Sequence, residues 1–202
     1  MRRMGFSLFL DAEFERLKLG VIEADRCIGQ MICDGFVIDH FSEAIDQCLR
    51  QANVEASRLS QIYFLNGPGS TMGIRTLCAF VNTLILLNKI DQSQVFTCNH
   101  LYFYQAYETY INQKEAPFQI VAKVGLNQCL RLSVEDKTQL LDIQKCKLQD
   151  VHDRADDPLF FLPHPALQGQ TFLTYDLEKI PSLLTLKDLQ LWHNGAFDLF
   201  QV

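Results

Sequence analysis

A chain of 202 residues, 48% of them hydrophobic, holds enough apolar side chain for one sizeable core or two small lobes. Its formal charge of -6 excludes the basic field with which a protein grips duplex nucleic acid unaided, so any contact with RNA is expected to be shared with a partner. The longest apolar stretch, Leu77–Leu87, is broken by Asn82 and Thr83 and falls short of the roughly 18 residues that a membrane span requires.

The first apolar run, Phe6–Leu10, stops at Asp11 and is too short for a secretory leader, so a cytoplasmic protein is expected. It is the first of three strand-like runs, followed by Leu17–Ile22 and Cys27–Ile32. The short links Glu13-Phe14-Glu15 and Ala24-Asp25 suit hairpins, which predicts an antiparallel meander. A helix is expected over Asp39–Ala52, with Asp39 as its N-cap and Phe41, Ile45, Cys48 and Leu49 on one stripe. Ile62–Leu65 reads as a buried strand. Asn66-Gly67-Pro68-Gly69-Ser70 breaks it sharply, and a second helix runs from Ser70 to about Asn88. Val95–Cys98 is another strand. Leu101–Ile111 is a tyrosine-rich helix whose Tyr102, Tyr104, Tyr107 and Tyr110 read as packing residues rather than base-stacking ones.

The second half repeats this grammar more weakly. Phe118–Val124 and Gln128–Val134 form a hairpin about Gly125-Leu126-Asn127. A strand over Leu141–Leu148, a charged loop over Asp150–Asp157 and a short strand over Leu159–Leu162 follow. A short helix and the apolar tail Phe197-Asp198-Leu199-Phe200 lie within Pro181–Val202. Strands first, then strands alternating with helices, predict an α/β protein of two small lobes with mixed sheets, residues 1–98 and 99–202.

Few residues offer chemistry. The seven cysteines form no CxxC pair and sit mostly in apolar runs, which reads as buried thiols in a reducing compartment. Cys98 and His100 are read as an inert cysteine and its neighbour rather than as a nucleophile and base. Asp150–Asp157 carries metal-ligand side chains without the glycine of an EF-hand loop and is read as solvated. The sharpest feature is Asn66-Gly67-Pro68-Gly69-Ser70-Thr71-Met72-Gly73-Ile74-Arg75, between a strand and a helix. Its glycines permit a tight turn with outward amides, and a helix N-terminus attracts anions. Arg75, unfavourably placed against the helix dipole, calls for a carboxylate or phosphate nearby. On spacing alone, a structural turn with Arg75 paired inside the chain is the first reading. Gly67, Pro68, Gly69, Ser70, Gly73 and Arg75 form the candidate nucleotide or anion loop, although no Gly-Lys-Ser/Thr makes it a Walker loop.

The order of three strands, amphipathic helix, strand and then Gly-Pro-Gly-Ser-x-x-Gly-x-Arg opening an apolar helix resembles the TsaB (YeaZ) family. Gly67, Pro68, Gly69, Ser70, Gly73 and Arg75 match its motif, whereas Thr71 and Met72 stand where the family has Phe-Thr. His40-Phe41-Ser42-Glu43 resembles its His-Ser-Glu segment with one residue inserted. The resemblance is clear over residues 6–98 and implies an actin-like ATPase (RNase-H-like) fold. It also implies a non-catalytic scaffold that pairs with a TsaD-like catalytic subunit, with a TsaE-like ATPase joining, in threonylcarbamoylation of tRNA adenosine. Nucleotide is then expected only at a complex interface, and tRNA only through the complex. A homodimer is expected when the protein is alone. The pairing surface that the resemblance implies is the two-helix patch of Phe41, Ile45, Cys48 and Leu49 with Ile74, Leu77, Cys78, Val81, Leu84 and Ile85.

Catalysis is poorly supplied: none of the five histidines forms the HxxxH pair with which TsaD-like enzymes hold a metal. The first hairpin reads Asp11-Ala12-Glu13-Phe14-Glu15 where TsaB commonly has Asp-Thr-Ser, and its glutamates would repel a phosphate. Two alternatives remain open on the residues: a phosphotransferase or hydrolase using Asp11 as base and the glycine loop for phosphate, or a divergent paralogue that homodimerises.

Overall fold

The computed structural model describes residues 5–136, 143–152, 157–167, 170–184 and 192–194. Three long strands open the chain: β1 (Phe6–Glu13), β2 (Arg16–Glu23) and β3 (Arg26–Asp34). Each runs further than its apolar core because the turns between them are only two residues, Phe14-Glu15 and Ala24-Asp25, the latter with Ala24 at a φ of 55°. The pairing is antiparallel, Phe6 opposite Glu23 and Arg16 opposite Asp34. Helix α1 (Val37–Ala52), strand β4 (Leu59–Leu65), helix α2 (Thr71–Leu86) and strand β5 (Val95–Cys98) follow. β4 lies parallel to β1, and β5 lies parallel to β4.

Contacts divide the chain into two units, Met1–Cys98 with Asp176–Val202, and Asn99–Tyr175. This differs from a single cut at Cys98, because the chain comes back to the first sheet after the second unit. A 3-10 turn at Leu177–Lys179 and helix α5 (Ile180–Leu184) pack on β3. Strand β10 (His193–Asn194) pairs antiparallel with β5, giving the strand order β10-β5-β4-β1-β2-β3.

Period-2 alternation decides which face each residue takes. Leu8, Leu10 and Ala12 of β1, with Leu17, Leu19 and Val21 of β2, join the inner stripes of α1 and α2 in one core. The other face carries Phe9 and Tyr63, both edge-on to Trp192 with ring centroids 6.5 Å and 5.1 Å away. With both faces covered, every residue of β1 is buried, the polar Ser7, Asp11 and Glu13 included.

α1 begins at Val37, two residues before the expected Asp39 cap. Phe36 takes the cap position without a side-chain hydrogen bond, and Asp39 sits in the first turn, where its charge opposes the helix dipole's positive end. α1 ends on Asn53 in the left-handed region, φ 53°.

The second unit has strands β6 (Phe118–Lys123), β7 (Gln128–Val134), β8 (Gln144–Lys147) and β9 (Leu159–Phe161), in the order β8-β7-β6-β9. β6, β7 and β8 are antiparallel and β9 is parallel to β6, so the meander-plus-parallel-strand grammar of the first unit recurs. Helix α3 (His100–Ala106) continues as a π turn to Ile111 and packs on β6 and β7. Tyr104 and Tyr107 are buried with Phe103 around Tyr175, which places them as packing residues. Glu108, buried at the π turn, holds Lys114 Nζ at 2.9 Å, and that ammonium stands 3.4 Å from the Phe160 ring centroid. Of the strand expected over Leu141–Leu148, Gln144–Lys147 form β8 and Leu148 starts the short helix α4 (Leu148–His152), while residues 141 and 142 lie outside the described residues. Of the charged loop, residues 153–156 lie outside the described residues, as does the apolar tail 197–200. No described helix is long and apolar enough to cross a membrane.

Candidate functional site

The glycine loop joins β4 to α2, and its motif residues have distinct local roles. Gly67 adopts a φ of 116°, a conformation that L side chains rarely take. Ser70 is the N-cap of α2, and its Oγ accepts a hydrogen bond from the Gly73 N–H at 3.1 Å. Gly73 lets three elements meet: a Cβ there would stand 2.9 Å from Ala12 Cβ, 3.1 Å from Val37 Cγ2 and 3.2 Å from Ser70 Cβ. Pro68 and Gly69 are half-buried between them. The loop therefore draws the starts of α1 and α2 onto the end of β1. Gly73→Ala is expected to cost about 1–3 kcal/mol, measured by urea denaturation, because backbone or core must move to admit one methyl.

Arg75 is exposed and, among the described residues, has neither an ion pair nor a hydrogen-bond partner. The internal salt bridge that spacing alone favoured is not formed with any of the described residues. Its guanidinium points to solvent one turn into α2.

The first hairpin differs from a phosphate-binding turn. Glu13 Oε2 accepts from Lys18 Nζ at 3.1 Å, and both side chains are about 5% exposed or less. Asp11 lies directly opposite Lys18 in the ladder and is fully buried. The end of β1 thus carries a buried ion pair beside a second buried carboxylate-bearing residue. Only Glu15 of the two hairpin glutamates is exposed.

Eight of the ten residues expected to form a pairing surface, Phe41, Ile45, Cys48, Leu49, Ile74, Leu77, Cys78 and Val81, lie buried in the core of their own unit. Leu84 and Ile85 are half-buried and packed against that core. A stripe at helical spacing marks the face with most apolar area, and the chain's own sheet takes that face first. Burial pushes the Cys48 thiol up to about 12 and the Cys78 thiol to about 11, as suits inert core cysteines.

The outward side of α2 is the surface left over. Met72 (56% exposed), Thr76, Ala79, Thr83 and Leu86 (80% exposed) recur at intervals of four, three, four and three residues. Thr76 donates its hydroxyl to Met72 O at 2.9 Å and Thr83 donates to Ala79 O at 2.8 Å. With their hydroxyls turned back, both threonines present methyl groups. The line is uncharged, low in profile and four turns long. Phe36 (67% exposed) and Ile38 (58% exposed) stand at the start of α1, where Val37 meets Gly73. A groove of about 590 Å³ bounded by Arg50, Asn53 and Arg58 lies at the other end of α1.

Residues 38–154, more than half of the chain, match the TsaD family, tRNA N6-adenosine threonylcarbamoyltransferase. The chain belongs to that family. Among solved structures it is similar to YeaZ from Pseudomonas aeruginosa, with a TM-score of 0.57 and 18% identity over 78% of this chain and 75% of that one. It is also similar to a protein described by its likeness to peptidase YeaZ from Pseudomonas aeruginosa, with a TM-score of 0.63 and 15% identity over 90% of each chain. No curated protein matches by sequence. The fold is the actin-like ATPase arrangement shared with YeaZ, and the resemblance read from the glycine loop holds. Membership ties the chain to tRNA threonylcarbamoylation at the level of the family.

Proposed function

We propose that this member of the TsaD family is the non-catalytic, TsaB-type partner of a TsaD-like catalytic subunit, acting in the cytoplasm. The observation that carries this reading is the outward line of α2. A line of Met72, Thr76, Ala79, Thr83 and Leu86 lets a partner helix approach closely, because small and methyl-bearing side chains keep the axes near each other. With the start of α1 beside it, two helices pair with two others as a bundle, in a heterodimer or, for the protein alone, in a homodimer. A TsaE-like ATPase joins that complex, and tRNA reaches the chain only through it. Any nucleotide lies at the complex interface, near Arg75.

A phosphotransferase reading is less well supported. Its base, Asp11, is fully buried, and Glu13 is committed to Lys18 at 3.1 Å. The glycine loop already spends Gly67, Ser70 and Gly73 on local structure.

Ala79→Arg tests the surface. It adds a long cation to an exposed helix position, so thermal stability is expected to change by less than about 0.5 kcal/mol. Affinity for the TsaD-like subunit, measured by calorimetry, is expected to fall at least 100-fold. Undiminished affinity would place the partner on another face.

A further inference from the structure

The second unit carries a pair of cysteines that no role assigned above uses. Cys129 of β7 and Cys146 of β8 are direct partners in the antiparallel ladder, so their side chains leave the same face of the sheet side by side. Cys129 is fully buried with Val121, Val151, Phe161 and Leu167, and Cys146 packs against that cluster while remaining partly exposed. Cys146 Sγ lies 3.9 Å from Cys129 O, so it leans over its neighbour's backbone.

The register sets the kind of position. Leu148 N–H donates to Asn127 O, two residues along the same ladder, which makes Cys129 and Cys146 a hydrogen-bonded pair. At such a position the Cα atoms stand about 5.5 Å apart, inside the range a disulfide spans. The Cβ atoms, about 5 Å apart in such pairs, must close by roughly 1 Å. A bridge formed there is strained, and strained bridges are the readily reduced, responsive ones rather than permanent cross-links. β8 is a four-residue edge strand held to the sheet through β7 alone, so a covalent tie has the most to add at this strand.

We propose that Cys129 and Cys146 form a reversible redox staple that locks edge strand β8 onto β7 when the thiol pool is oxidised. The Cys146 thiolate attacks one sulfur of glutathione disulfide, breaking its S–S bond, forming a mixed disulfide and releasing one glutathione thiolate. Cys129 Sγ then attacks Cys146 Sγ and releases the second. The two cysteine protons end on the two released glutathione thiols. One glutathione disulfide is reduced as one protein disulfide forms. Cys146 is the first nucleophile because it is the more exposed member of the pair. Burial nevertheless raises both thiols, Cys129 further through its neighbour Cys146, which makes the exchange slow under reducing conditions.

The test equilibrates the full chain in glutathione buffer with the disulfide in excess, blocks free thiols and maps peptides by mass spectrometry. The expected result is one intramolecular link between Cys129 and Cys146 in most molecules, reversed by dithiothreitol and lost in Cys146→Ser. Amide exchange over Gln144–Lys147 is expected to slow at least tenfold in the linked form. Recovery of both cysteines as free thiols, glutathione retained on Cys146 alone, or a link to another cysteine would overturn the proposal. A link without slower exchange would overturn the locking role. The map of the unsubstituted chain decides the matter even where Cys146→Ser fails to fold.

Discussion

Lys18→Met is expected to lower stability by about 3–5 kcal/mol, read from urea denaturation followed by circular dichroism. The ammonium is buried, stands 3.1 Å from Glu13 Oε2 and faces the fully buried Asp11 across the ladder. A methionine keeps most of the volume but leaves the buried Glu13 carboxylate without this cation. Removing one partner of a buried pair costs far more than the pair itself contributes, because the survivor keeps its desolvation penalty. Glu13→Gln in the same chain is therefore expected to recover a substantial part of the loss. A loss under 1 kcal/mol for Lys18→Met alone would show that Glu13 does not depend on this ion pair. The same substitution bears on the hairpin's chemistry. Freeing Glu13 only adds negative charge to the hairpin, so no nucleotide binding is expected to be gained.

Leu77→Asp is expected to have a similar or larger effect, more than about 4 kcal/mol, and to leave the first unit without a stable core. Leu77 is fully buried among the inner stripes of the two helices and the sheet. The substitution removes a well-packed side chain and buries a carboxylate with no cation beside it. The expected signature is loss of the cooperative unfolding transition, with loss of pairing only as a consequence. Ala79, two residues on, lies roughly 200° around the helix and takes a charge without that penalty. A folded Leu77→Asp chain that fails to pair would reverse this assignment of the two faces.

The contrast between positions 77 and 79 shows where sequence reading stops. Period-2 and period-3.6 patterns revealed the meander, both long helices and the strand–loop–helix junction, because the core rewards those periods directly. The same signal cannot tell a core from an interface: both want apolar residues at i, i+3, i+4 and i+7. Eight of the ten residues read as a pairing surface are buried in the core, and Leu84 and Ile85 pack against it half-buried. The outward line was hidden because threonine reads as polar, and only hydroxyls turned back onto Met72 O and Ala79 O make it methyl-bearing. Lys18 was missed for a different reason. Its partner Glu13 is diagonal to it across a two-residue turn, which the expected three-residue link obscured. The glycine loop was the most legible part, since a positive φ at Gly67, a cap at Ser70 and a close approach at Gly73 each demand a particular residue type. What the loop's remaining surface binds is not written in those demands. The return of the chain to the first sheet after Asp176 had no sequence signal at all, because β10 is two residues long.

The most direct test of the partner assignment is size exclusion with light scattering on the protein mixed with the TsaD-like protein of the same organism. The expected result is a one-to-one heterodimer that displaces any homodimer, forms with wild-type protein and is lost with Ala79→Arg. Two species that elute separately at micromolar concentration, with or without nucleotide, would contradict it.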